Sequence, residues 1–267
     1  MKKLRAACIS IFALLLGAFA NAAHSQAVDV PGIVSAVSPS VVRVLVVVQK
    51  DGRSIPTVLG SGFVIGPDGL VATAAHVIEG MPMGAILVVP ADIQTFTPES
   101  AKATLVSIDQ RNDLVILRSE ASKTRKPLQL EGIANVRVGE DALVFGFPLG
   151  NPVLTVAKGM VAAKTTRSPS ETQLLKLDAS VNKGNSGGPV VRIATGKVIG
   201  LASLKEGSLQ ERLQKLLREK PTASISIGGN DPIELIKFIV QDMETNLQLG
   251  LGYAVASEHL SALLKGK

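Results

Sequence analysis

Asp178-Ala179-Ser180-Val181-Asn182-Lys183-Gly184-Asn185-Ser186-Gly187-Gly188-Pro189 is the most informative stretch of the chain. Ser186 sits among glycines, between two short apolar runs, Leu174-Leu175-Lys176-Leu177 and Val190-Val191-Arg192-Ile193. Taken alone, the stretch reads equally well as a Gly-rich turn between strands with Ser as filler. Its chemical reading is sharper. A Ser hydroxyl is a poor nucleophile at neutral pH and needs an adjacent base. Glycines on either side let the backbone fold so that successive N–H groups aim at one point. Such donors stabilise an oxyanion by about 3 kcal/mol each. The N–H groups of Gly184 and Ser186 are the candidates.

The flanking runs belong to a longer series. Val41–Val48, Gly62–Ile65, Leu70–Thr73, Ile86–Val89, Thr104–Ile108 and Leu114–Leu117 are short, apolar and rich in β-branched residues. Turn signals such as Gly66-Pro67-Asp68-Gly69 separate them. A polar stretch, Ser119–Lys126, breaks the pattern, and strands resume at Ala142–Phe145, Met160–Ala163, Val198–Leu201 and Gly252–Val255. Short strands at this spacing with few helices between them indicate an all-β barrel or sandwich, split by the polar break into two halves of about six strands.

Two further motifs supply what Ser186 lacks. Thr73-Ala74-Ala75-His76-Val77 ends one of the strands. The chain has three His in all, and a lone His is more often structural than catalytic. Asn112-Asp113 opens another strand, where Asp by itself reads as a turn or cap residue. Chemistry joins them. His76 can take the Ser186 proton, and a buried Asp113 on the other imidazole nitrogen holds the tautomer and steadies the imidazolium. The order His, Asp, Ser is specific where each motif alone is not.

Composition narrows the classes. The 267 residues are 46% hydrophobic and 19% charged, too apolar for a disordered chain. Seven Phe, one Tyr and no Trp disfavour a base-stacking surface. A single Cys, Cys8, excludes an internal disulfide and a multi-Cys metal site. Residues 1–22 read as an export signal: Lys2, Lys3 and Arg5, an apolar run from Ala6 to Ala20, then Ala20-Asn21-Ala22. Ser25-Gln26-Ala27 offers a second cleavage site. The run is short for a membrane span. Cleavage after Ala22 removes those three cations and no anion, lowering the net charge from +6 to +3, and nucleic acid is not an expected partner.

Residues 205–249 depart from the strand pattern. Leu209, Leu213, Leu216 and Leu217 fall at helical spacing, and Asp231-Pro232 caps a second amphipathic run through Ile233, Ile236, Val240, Met243 and Leu247. Two helices in a β chain read as an insertion. Residues 206–220 carry four cations and three anions, too mixed for a basic membrane-surface helix. A short final helix is expected from Ser257.

Together these motifs resemble the chymotrypsin-fold serine proteases, and most the bacterial HtrA branch. The resemblance rests on Ile33–Val42, Gly60–Ile65, Asp178–Pro189 and Gly250–Val255, and spans about residues 33–204 and 250–265. It implies two perpendicular six-stranded antiparallel β-barrels, about 33–125 and 137–265 within a protease domain 28–267, with the helical insertion 205–249 in the second barrel. His76, Asp113 and Ser186 would lie in the cleft between the barrels and act on polypeptide substrates, and the resemblance implies no metal and no organic cofactor. No PDZ domain is expected after Lys267, and the trimerisation segment of the family is not recognisable, so no oligomeric state carries over. Digestive relatives have an Asp before the nucleophile that receives a new N-terminus. Here Asn185 is neutral, so activation by trimming is not expected. Ser180, six residues before Ser186, is uncharged. With Ala202 and Ser203 on the opposite wall, it implies a substrate pocket for small or medium aliphatic side chains rather than Lys or Arg.

Three functional readings follow from the sequence. The leading one is an exported periplasmic or secreted serine endopeptidase for unfolded protein. The second is a protease-fold binding module whose site is occluded, with residues 205–249 docking an activator or substrate. The third is a scaffold tethered by an uncleaved signal.

Overall fold

The computed structural model describes residues 28–81, 85–203 and 251–266. The proposed signal (1–22) and the proposed insertion (205–249) lie outside the described residues. The described chain forms twelve strands. They are β1 (Val41–Lys50), β2 (Arg53–Gly66), β3 (Leu70–Ala74), β4 (Ile86–Pro90), β5 (Ala103–Asp109), β6 (Leu114–Ser119), β7 (Asp141–Gly146), β8 (Thr155–Arg167), β9 (Thr172–Asp178), β10 (Pro189–Arg192), β11 (Val198–Ser203) and β12 (Leu251–Ala256). Every expected apolar run falls on one of them. The hairpin turn after β2 is the Pro67-Asp68-Gly69 signal, with Asp68 and Gly69 both at positive φ, as a tight turn of this hand requires.

The first six strands form one antiparallel sheet in the order β4-β1-β2-β3-β6-β5, and the last six close into a barrel, β10-β11-β12-β9-β8-β7. The two six-stranded units of a chymotrypsin-like fold are thus present. The first differs from a closed barrel: no ladder joins β4 to β5, and a single Leu87–Lys102 bridge brings those edges together. Bulges at Val44/Leu45, Leu105/Ser107 and Val161/Ala163 give the strands the extra bend that such curvature needs.

Several strands are buried along their whole length rather than on alternate residues. β4 and β11 expose no residue, and β3 exposes only part of Leu70. The reason is that these strands have cover on both faces. The larger apolar cluster runs from Phe63, Leu114 and Ile116 of the first sheet to Phe145, Phe147, Leu201 and Val255 of the second. A second cluster, with Val144, Leu177, Ile199 and Ala254, fills the closed barrel. At about 1.5–3 kcal/mol for each large side chain taken out of water, this shared core is the main force joining the two units.

The linker between the sheets is stitched to both. The Leu128 N–H donates to Val64 O at 2.9 Å, and Val198 exchanges bonds with Gln129 O and the Glu131 N–H at 2.8 Å each. A helix that sequence reading missed, Val30–Val37, precedes β1. Its start was signalled by Asp29 and Pro31: the Asp29 carboxylate accepts from the Gly32 N–H at 2.9 Å.

The C-terminal helix, Ser257–Lys265, docks on the linker and on β9. The Ile133 N–H donates to Glu258 Oε1, and the Gln173 N–H donates to His259 Nε2 at 2.9 Å. Burial holds the His259 imidazole below its ordinary value of 6.5, outweighing the Asp109 and Glu258 carboxylates; Arg111 and Arg167 act with burial. A base with a lowered folded value is neutral in the native state where the unfolded chain already binds a proton. Its contribution is therefore complete above pH 6.5 and is lost as pH falls below it. His259→Gln keeps an acceptor but cannot titrate. Urea midpoints at about pH 7.5 and about pH 5.5 should fall less in this variant than in the parent; equal falls would remove His259 as a source of acid sensitivity.

Candidate active site

β3 ends at Ala74, and the chain turns at once into a short helix, Ala75–Ile78, that carries His76. The turn before β6 carries Asp113 directly opposite. Asp113 has φ +58°, a left-handed conformation that Asp tolerates better than most residues. That conformation lets one residue face the His76 segment three times. Its carbonyl accepts from the Ala75 N–H at 3.1 Å, its Oδ1 from the His76 N–H at 2.9 Å, and its Oδ2 pairs with His76 Nδ1 at 2.7 Å.

Asp113 is fully buried, while the His76 side chain keeps a quarter of its surface open. Ser203, at the end of β11, donates its hydroxyl to the same Oδ2 at 2.9 Å. Burial alone would raise the Asp113 carboxyl. The hydrogen bond and charge of His76, the His76 amide and the Ser203 hydroxyl together outweigh it and hold the group below the usual carboxylate range. Asp113 is thus a buried anion clamped on His76 Nδ1, an arrangement that can fix the imidazole tautomer.

The turn carrying Asp113 is itself held from the other sheet. Asn112 Oδ1 accepts from Thr172 Oγ1 at 2.7 Å, and Arg111 O accepts from Arg167 Nη2 at 2.9 Å. Within the turn, Asp109 accepts from the Asn112 backbone and side-chain amides.

Ser186 lies in the connection between β9 and β10 and is 3% exposed. Main-chain bonds tie this connection to both sheets. The Ser61 N–H donates to Ser186 O at 2.8 Å from β2. The Gly187 N–H donates to Ala202 O and the Ala202 N–H to Gly188 O, both at 2.8 Å, from β11. Gly187 has φ +90°, and a Cβ there would lie 2.0 Å from Ser61 O and 2.4 Å from Thr73 Oγ1, so glycine is required. The same contacts place the residue after Ser186 against Thr73 and Ala74, the end of the strand that presents His76. Gly184 has φ +99° and packs against Phe147 O.

The structure therefore brings His76 and Asp113 into direct contact and seats the Gly184–Gly188 loop beside them. Ser180 is half-buried in the segment after β9. Ala202 is fully buried with its backbone engaged by the loop, and the Ser203 side chain faces Asp113 rather than a cavity. β12 runs beside β11 with Tyr253 opposite Ser203. Sequence reading did not find the Ser203 bond to Asp113, nor the part played by Ser61, whose hydroxyl donates to Gly184 O and accepts from the Phe147 N–H. Ser61 lies within the Gly60–Ile65 segment, but nothing in a Gly-Ser-Gly sequence indicates which loop its hydroxyl will meet.

Among the described residues no group of three or more His, Cys, Asp or Glu side chains converges as a metal site would require. No helix among them is long and apolar enough to cross a membrane.

Comparison with known proteins agrees with this geometry. A family model described as a trypsin-like peptidase domain matches residues 60–201, the span that contains His76, Asp113 and Ser186. The chain is 37% identical over 147 residues to a probable periplasmic serine endoprotease, DegP-like, of Pseudomonas savastanoi pv. phaseolicola, covering 54% of this chain and 29% of that protein. It is 28% identical over 237 residues to the mitochondrial serine protease HTRA2 of Bos taurus, covering 83% of this chain and 50% of that protein. It thus spans half or less of the length of these curated relatives. Among solved structures, the HtrA-type protease AlgW with a decapeptide superposes with a TM-score of 0.61 at 22% identity, over 88% of this chain and 66% of that one. That likeness speaks to the fold. With the strand order and the family match in agreement, the chain belongs to the trypsin-like peptidase family and has a chymotrypsin-like fold.

Proposed function

We propose that the chain is a serine endopeptidase that uses Ser186 as nucleophile, His76 as general base and acid, and Asp113 as the group that orients His76. The observation that carries the reading is the 2.7 Å contact between His76 Nδ1 and the fully buried Asp113 carboxylate, next to a loop whose Gly187 packs against Thr73 and Ala74 at the end of the strand presenting His76. Names of relatives, a DegP-like serine endoprotease among them, support the same chemistry.

In the proposed reaction, Ser186 Oγ attacks the scissile carbonyl carbon while His76 Nε2 takes the hydroxyl proton. The carbonyl oxygen becomes an oxyanion, stabilised by the N–H groups of Gly184 and Ser186. His76 passes the proton to the leaving amine, the C–N bond breaks, and an acyl-Ser186 ester remains. Water then attacks the ester with His76 again as base, and the acid product leaves with Ser186 restored. The buried charge of Asp113 stabilises the imidazolium in both halves. No metal or organic cofactor enters these steps.

The export reading rests on residues 1–22 and on the periplasmic assignment in the names of bacterial relatives. Protein quality control is the role proposed with it. Ser180 and Ala202 carry no charge, and the Val181 side chain lies against Gly252; these residues support a pocket for small or medium aliphatic side chains.

Three outcomes are expected. Ser186→Ala and His76→Ala should each lower kcat on an unfolded protein substrate by about 10⁶-fold with the melting temperature retained, because the residues act as a unit. Asp113→Asn should cost about 10⁴-fold by favouring the wrong tautomer; near-parental activity in Ser186→Ala would end the assignment. Cleavage sites in a peptide library should carry Val, Ala or Ile before the scissile bond, and a dominant Lys or Arg there would overturn the pocket reading.

A further inference from the structure

We propose that Ser61 is the positioning residue that holds the N–H of Gly184 toward the scissile carbonyl, an inference that rests on the oxyanion role given to Gly184 above. Ser61 lies on β2 of the first sheet and has no exposed surface. Its single hydroxyl proton goes to Gly184 O at 2.7 Å, and its oxygen accepts from the Phe147 N–H at 3.0 Å. Both are buried bonds between residues far apart in sequence, and together they join three segments at one atom.

The consequence for Gly184 follows from peptide geometry. A residue's conformation is set by the two peptide planes that flank it. The plane after Gly184 is anchored directly, through its carbonyl on Ser61. The plane before it is anchored through Lys183 O, which accepts from the Leu149 N–H at 2.6 Å. In a trans peptide the C=O and the following N–H point in opposite directions. With Lys183 O turned toward the Phe147–Leu149 turn, the Gly184 N–H must point away from it. That turn is itself held by Ser61 through the Phe147 N–H, and by Arg43, whose guanidinium lies 5.9 Å from the Phe147 ring centroid. Ser61 thus controls both planes.

The residue cannot easily drift. Its N–H is taken by Ser186 O at 2.8 Å, and its carbonyl accepts from Thr73 Oγ1 at 2.7 Å. Gly146 closes the remaining side, where a Cβ would come within 2.9 Å of Ser61 Oγ. A residue held through both of its backbone polar groups presents its hydroxyl in a fixed direction, as holding a loop requires. Removing it leaves Gly184 O and the Phe147 N–H buried without partners, and both flanking planes gain freedom.

The test separates placement of the donor from general integrity. In folded Ser61→Ala, kcat for a peptide ester should fall roughly 10- to 100-fold, with KM within about twofold. Affinity for a peptide boronic acid, which forms a tetrahedral anion on Ser186, should fall in the same proportion as kcat, while affinity for the product peptide stays constant. The pH dependence of kcat/KM should keep its shape, because the His76–Asp113 pair is untouched. If Ser61→Ala does not fold, Ser61→Cys, whose thiol is a weaker donor, should show a smaller fall in the same direction. Unchanged kcat in either folded variant, or equal losses of boronate and product affinity, would overturn the inference. A parental protein whose Ser186 is not labelled by a fluorophosphonate would instead overturn the proposed chemistry itself, so the two failures are distinguishable.

Discussion

A carboxylate with no exposed surface is the constraint around which this molecule is arranged. Asp113 lies at the seam of the two sheets, and an ion there costs several kcal/mol unless donors replace its water. The fold supplies them from both sides. His76 contributes a backbone amide and a ring nitrogen from the first sheet, and Ser203 a hydroxyl from the second. Displacing either unit would strand the charge, so the bonds that lower the Asp113 carboxyl also lock the relative placement of the sheets. The Asn112–Thr172 and Arg111–Arg167 contacts extend the same lock outward along the turn.

The loop carrying Ser186 obeys a different constraint, that of close approach. Its backbone runs against β2 and β3 at Gly187 and against β7 at Gly188, at distances that leave no room for side chains. Packing of this kind needs glycine for space and, at Gly184 and Gly187, for a positive φ. The energetic return is that the loop's conformation is set by main-chain bonds to rigid strands rather than by its own sequence. A site assembled in this way is held in place before substrate arrives, which is the property electrostatic stabilisation of a transition state demands.

The two constraints meet because the apolar core is shared. Phe145, Phe147, Leu201 and Val255 pack into the same cluster as Phe63, Leu114 and Ile116. The strands ending at Ala74, Gly146 and Ser203 thus present their last residues to one point. Hydrophobic burial is non-directional and positions elements only roughly. The hydrogen bonds of Ser61, Thr73 and Ser203 then select one arrangement among those the core would allow.

Much of this was legible in the chain itself. Each strand announces itself because a buried β-strand needs a run of β-branched and apolar residues, and the turns because Gly and Asp tolerate the dihedrals that sharp reversals impose. His76, Asp113 and Ser186 could be proposed as a triad because nucleophilic chemistry restricts residue type severely, and few arrangements besides a triad place these three motifs in this order. The missed side-chain contacts share one property. The Ser203 bond to Asp113, the Ser61 bridge between Gly184 and Phe147 and the Thr172 contact to Asn112 all join residues distant in sequence. A Ser or Thr hydroxyl has the same short-range signature in a turn, a cap or a buried bridge, so its partner is chosen only when tertiary packing brings a donor or acceptor within about 3 Å. Residue chemistry and hydrophobic pattern thus determined which groups could react and which segments would be strands. The folded structure alone decided which hydroxyls hold those groups in place, because that depends on distances that no local pattern encodes.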